Sequence, residues 1–83
     1  MWKAANNSLQ VTFQFQDFKQ AFAFMTEVAF HAEAQGHHPD WKNVYNKVEI
    51  SLSTHDAGNI VTEKDHQLAK TIDEVYKKYG TSV

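Results

Sequence analysis

Two short segments concentrate side chains able to move protons: Gly36-His37-His38-Pro39-Asp40-Trp41 and Ser53-Thr54-His55-Asp56. Imidazole, with an ordinary pKa of about 6.5, both gives and takes a proton near neutrality. Pro39 disfavours helical backbone at His38 and pushes it toward an extended conformation, so the two neighbouring rings project differently toward one cavity. With His55 they make a set equipped for general acid/base work without a cofactor. Glu33 lies one helical turn before the pair, and Asp56 follows His55. Three imidazoles with carboxylates nearby also make a zinc ligand set on paper. Adjacent histidines in an extended chain point apart, however, which works against joint ligation of one ion. His31 and His66 read as solvated surface residues. Other catalytic classes find no support: the chain has no cysteine, no glycine-rich phosphate loop and no serine elbow.

Such a set acts only if secondary structure holds it. Leu9, Val11, Phe13 and Phe15 alternate with Gln10, Thr12 and Gln14, the period of a half-buried strand over Leu9–Phe15. Asn6-Asn7-Ser8 before it is a turn signal, with Trp2–Ala5 as the partner strand of a hairpin. The period changes over Asp17–Ala34, where Phe18, Ala21, Phe22, Met25, Val28, Ala29 and Ala32 fall on one helical face. Asp17 caps this helix in a box with Gln20, and Gly36 stops it. Phe24 and Phe30 fall on its flanks and are the expected subunit contact.

Val48, Ile50 and Leu52 alternate inward over Lys47–Thr54, paired with Asp40–Val44 through a tight turn at Tyr45-Asn46. A last helix runs from Thr62, its cap, to Tyr79, with Asp65 at the third helical position. Leu68, Ala69, Ile72, Val75, Tyr76 and Tyr79 form its buried stripe, and Gly80 ends it. The order β-β-α-β-β-α, with one apolar face per long strand, predicts a two-layer α+β domain, both helices on one face of an antiparallel sheet. The histidine pair then leaves the first helix, and His55 follows the last strand.

The whole chain, residues 1–83, reads as a single domain. Its net charge of −2, without a Lys/Arg run, argues against nucleic acid or an anionic membrane as partner. No stretch is long and apolar enough to span a bilayer, and Met1-Trp2-Lys3 leads into no signal-peptide core, so a cytoplasmic setting is expected. Six Phe, three Tyr and two Trp are much aromatic surface for so small a core. Self-association as a homodimer or homotetramer is therefore expected.

The order Glu33, His37-His38-Pro39, Tyr45, His55, Asp65 resembles the signature of the pterin-4a-carbinolamine dehydratases. So do the flanking runs Phe13-Gln14-Phe15-Gln16-Asp17-Phe18, Asn43-Val44-Tyr45-Asn46-Lys47-Val48 and Leu52-Ser53-Thr54-His55-Asp56. The likeness extends from Trp2 to about Ile72. It implies an α+β fold and dehydration of 4a-hydroxytetrahydropterin to quinonoid dihydropterin, recycling the pterin of aromatic amino acid hydroxylases. It implies neither metal nor organic cofactor. Carried over by motif position, His37, His38 and His55 are the acid/base residues. Glu33 orients a histidine and Asp65 supports the site. Gly36 and the Ser53-Thr54-His55-Asp56 turn hold the pterin, with Trp41 as an apolar wall. The family's first helix has no counterpart before Trp2, and Ala57–Val61 is a residue longer than in relatives. The alternative is a non-catalytic dimerisation or regulatory module of the same fold.

Overall fold

The computed structural model describes residues 1–80. In chain order it contains β1 (Lys3–Ala5), β2 (Ser8–Gln14), α1 (Phe18–Gln35), β3 (Asp40–Val44), β4 (Lys47–Leu52), a 3-10 turn (His55–Ala57) and α2 (Glu63–Gly80). The strands form one sheet in the order β1-β2-β4-β3, every neighbouring pair antiparallel. Asn6 and Asn7 both take left-handed backbone, φ 54° and 61°, which lets a two-residue hairpin follow the sheet's twist. Val11 pairs with Ile50 and Phe13 with Val48, so each inward side chain meets another inward one across the ladder. Leu9, Val11, Phe13, Val48, Ile50 and Leu52 are buried, whereas Thr12, Gln14, Lys47 and Glu49 on the opposite face are exposed. One face of the sheet is thus covered by helices and the other is open.

Asp17 caps α1 by accepting the Gln20 N–H at 2.8 Å. The return half of the box closes one residue early, with the Gln20 side chain accepting from the Gln16 N–H at 3.3 Å. The buried stripe of α1 is Ala21, Phe24, Val28 and Ala32. This corrects the expected face: Phe22 is 54% exposed, Phe18 and Ala29 are also exposed, and Phe24 is 0% exposed. The physical reason is an aromatic nest. The Phe24 ring lies 5.3 Å from Phe13 and 4.9 Å from Phe15, so the sheet's two phenylalanines select it as their helical partner. Phe24 is therefore core and no subunit contact, while Phe30 stays exposed.

Leu68, Ala69, Ile72 and Val75 of α2 complete the core, and half-buried Tyr76 donates to the Gln14 carbonyl at 2.9 Å. Trp2 donates to Asp73 at 2.9 Å, tying the start of the chain to α2. α2 is helical from Glu63 through Gly80, the residue expected to end it. Among the described residues no helix is long and apolar enough to cross a membrane.

Candidate active site

α1 ends on Gly36 in left-handed backbone, φ 65°. Its N–H bonds the Glu33 carbonyl and the His37 N–H bonds the Ala32 carbonyl, both at 3.1 Å, a Schellman closure. The reversal separates the two histidines. His37 turns inward, its side chain only 10% exposed, with Nε2 2.5 Å from Asp65 Oδ1. His38 stays outside, its side chain 66% exposed, with Nε2 2.9 Å from Oε1 of a still more exposed Glu33.

Asp65 is 0% exposed and joins three segments of chain. Oδ1 receives His37, while Oδ2 accepts the Thr54 hydroxyl at 2.7 Å and the Thr62 N–H at 2.8 Å. The Thr62 hydroxyl in turn bonds Thr54 Oγ1, and it accepts the Lys64 N–H at 3.3 Å. Asp65 thus supplies the return half of a capping box at Thr62, and the same acid also reaches the exit of α1. Burial alone would push the Asp65 carboxyl up. The hydrogen bonds from His37, Thr62 and Thr54 outweigh it and hold the carboxyl below the usual carboxylate range. An ionised carboxylate only accepts, so the His37 ring is the donor in this bond, through Nε2.

His55 opens the 3-10 turn, is exposed, and bonds Asn59 Oδ1 through Nδ1 at 3.1 Å. An amide oxygen accepts, which puts the proton on Nδ1 and leaves Nε2 free. Gly58 and Asn59 adopt φ 90° and 60°, folding the segment back so that Asn59 N–H bonds the Thr54 carbonyl at 3.0 Å. Thr54 N–H meets the Ile60 carbonyl at 2.8 Å. Each of the three imidazoles thus has one nitrogen fixed by a partner and the other unclaimed.

Gly36, His37, His38, Ser53, Thr54, His55 and Asp56 line one cleft of about 260 Å³ together with Lys64. Glu33 and Asp65 stand one hydrogen bond behind it. Trp41 does not line this cleft. The register sets it opposite Ile50, where it packs half-buried against the core. Thr54 is buried and its hydroxyl is committed to Asp65 and Thr62. Lys64 is the lining residue missed from the sequence. Its place two residues after the Thr62 cap is the signal that could have found it. Among the described residues no three His, Asp or Glu side chains are grouped to hold a metal ion.

Residues 1–75 match the family described as "Pterin 4 alpha carbinolamine dehydratase". A protein of Christiangramia forsetii whose name carries pterin-4-alpha-carbinolamine dehydratase is 57% identical over 74 residues, 89% of this chain and 75% of its own length. One from Rhodospirillum rubrum, similarly named, is 53% identical over 72 residues, 87% of this chain and 74% of its own. Among solved structures, a transcriptional coactivator/pterin dehydratase from Brucella melitensis superposes with a TM-score of 0.85 at 38% identity, over 89% of this chain and 80% of the other. A pterin dehydratase-like protein identified as a RuBisCO assembly factor in the alpha-carboxysome gives 0.74 at 25% identity, over 89% and 87%. Its sheet with two helices in the order β-β-α-β-β-α is the fold of these structures, and the chain belongs to the pterin-4a-carbinolamine dehydratase family of hydro-lyases.

Proposed function

We propose that this chain dehydrates 4a-hydroxytetrahydropterin to quinonoid dihydropterin by histidine acid/base catalysis, with His38 as the principal acid/base. The observation that supports it is the gathering of His37, His38 and His55 around one cleft, each with a single unclaimed ring nitrogen. In the reaction the C4a–O bond breaks, N5 loses its proton and a C4a–N5 double bond forms as water leaves. The hydroxyl is a poor leaving group until an acid protonates it, and N5 needs a base. Each positioned group contributes about 10²–10⁴-fold. His38 exchanges protons readily with solvent while Glu33 holds its ring. His37 and His55 transfer protons or bind the pterin edge, so that either face of C4a is served. The Gly36 backbone and the Ser53–Asp56 turn hold the ring system.

In this reading no metal or organic cofactor takes part, and the product returns to an aromatic amino acid hydroxylase. The protein works in the cytoplasm as a homodimer or homotetramer. The test follows dehydration of 4a-hydroxytetrahydropterin by purified protein, with and without chelator. The expected result is acceleration over the spontaneous reaction, unaffected by chelator, and a loss of about 10²–10⁴-fold in His38→Ala. A His38→Ala variant that retains most of its turnover removes His38 from the leading role. The likeness to a coactivator and to an assembly factor favours a second reading, a non-catalytic binding module. Wild-type protein that leaves the spontaneous rate unchanged decides for that module.

A further inference from the structure

The cleft of about 260 Å³ is smaller than the roughly 300–1,000 Å³ that encloses a drug-sized ligand, so it takes a bicyclic ring and little more. A second hollow of about 400 Å³ opens beside it, lined by Thr54, Asp56, Ala57, Thr62, Glu63 and Lys64. Thr54, Asp56 and Lys64 line both, which makes the two one continuous groove. The Thr54 and Thr62 hydroxyls are bonded to each other, and Thr54 also to Asp65. The polar side chains left to the hollow are therefore Asp56, Glu63 and Lys64. All three are exposed, and none forms an ion pair among the described residues.

Lys64 is the anomaly among them. It is the second residue of α2, where the positive end of the helix dipole disfavours a cation. Folding of the helix asks for no lysine there, whereas Glu63 before it is the charge that the dipole favours. An anionic ligand suits the hollow poorly, since two carboxylates stand against one ammonium. A chain of hydroxyl groups suits all three, because each hydroxyl donates to a carboxylate or accepts from the ammonium without adding charge. Ala57 and the methylenes of Lys64 suit its carbon skeleton.

We propose that this hollow is a subsite for the substituent at C6 of the pterin, and that it selects a polyhydroxyalkyl chain. C6 is bonded to N5, the atom that loses its proton. A ring placed for acid/base work therefore carries its C6 substituent to the wall of the cleft. Past Asp56 and Lys64 that wall opens into the hollow. Glu63 and Lys64 then determine specificity and take no part in the proton transfers. The subsite rests on the function proposed for the cleft and adds a substrate class to it.

Binding, measured apart from turnover, tests the subsite with 7,8-dihydropterins, which lack the 4a-hydroxyl and undergo no dehydration. The probes carry a methyl, a trihydroxypropyl or a p-aminobenzoylglutamate group at C6. Calorimetry on the wild-type protein is expected to find the trihydroxypropyl probe about tenfold tighter than the methyl probe, as one or two net hydrogen bonds give. Glu63→Ala and Lys64→Ala each reduce that ratio about threefold or more. Glu63 lines the hollow and not the cleft, so Glu63→Ala keeps the methyl probe within about twofold of wild type. In 15N spectra the Ala57 and Glu63 amide signals shift with the trihydroxypropyl probe and not with the methyl one. Equal wild-type affinities for these two probes overturn the subsite, as does a ratio that survives both substitutions. A glutamate-bearing probe that binds tightest, and loses its advantage in Lys64→Ala, overturns the polyhydroxyl preference and makes Lys64 an anion contact. Protein that shows the expected ratio but dehydrates no 4a-hydroxytetrahydropterin sinks the catalytic reading and keeps the subsite. Protein that binds none of the probes ends both.

Discussion

His37 and His38 are neighbours in sequence, and each presents Nε2 to a carboxylate, yet the two pairs are different physical objects. The His37–Asp65 pair is buried, and its carboxylate is shared with Thr54 and the Thr62 backbone, so three chain segments depend on it. The His38–Glu33 pair is local to the exit of one helix and lies in solvent. A buried pair is costly to break, because the surviving member is left without solvation; an exposed pair contributes little to stability. The difference teaches that one histidine anchors the cleft while its neighbour has the solvent access and freedom that proton exchange requires.

The strongest way to break this contrast is Asp65→Ala. It strips His37, Thr54 and Thr62 of their common, fully buried acceptor, and about 3 kcal/mol of stability is expected to go. Urea unfolding followed by circular dichroism reads it directly. A loss below about 1 kcal/mol would make the two pairs energetically alike and end the distinction.

The next expectation is the acid limb of stability. The folded Asp65 carboxyl sits below its ordinary range. An unfolded aspartate titrates near 3.9, so the stabilisation by ionised Asp65 is fully present above that value and is lost as pH falls through the lower folded one. The urea midpoint of wild type therefore declines below about pH 4, and Asp65→Asn flattens that decline. A variant that keeps the full wild-type slope would show that other carboxylates cause it.

Much of this contrast could be read in the residues, and the parts that could not have a common cause. Strand alternation is legible wherever one face of a sheet is wet, as at Val48, Ile50 and Leu52. The cap at Thr62 and the stop at Gly36 are legible because they are local chemistry. Glu33 stands in the chain one turn from the residue it holds. The phase of α1 was not legible, because Phe18, Phe22, Phe24 and Phe30 spread around the helix and only contact with Phe13 and Phe15 selects Phe24. The convergence of Thr54, Thr62 and His37 on Asp65, and Trp41's place outside the cleft, follow from tertiary register, which no local pattern carries.

The smallest expected effect sharpens the contrast most, because it asks whether the exposed pair does anything beyond touching. Glu33→Gln keeps the length and the acceptor oxygen of the side chain and removes only its charge. With Glu33 so exposed, stability should stay within about 0.5 kcal/mol of wild type. If the charge holds His38 in its working orientation, kcat falls roughly two- to fivefold, the range an exposed ion pair supports. KM should stay unchanged, because Glu33 does not itself line the cleft. A kinetic loss without a stability loss at Glu33 is the mirror image of Asp65→Ala, where folding suffers first. A Glu33→Gln variant with wild-type kcat would reduce the exposed contact to surface decoration, leaving the buried carboxylate as the one that organises this cleft.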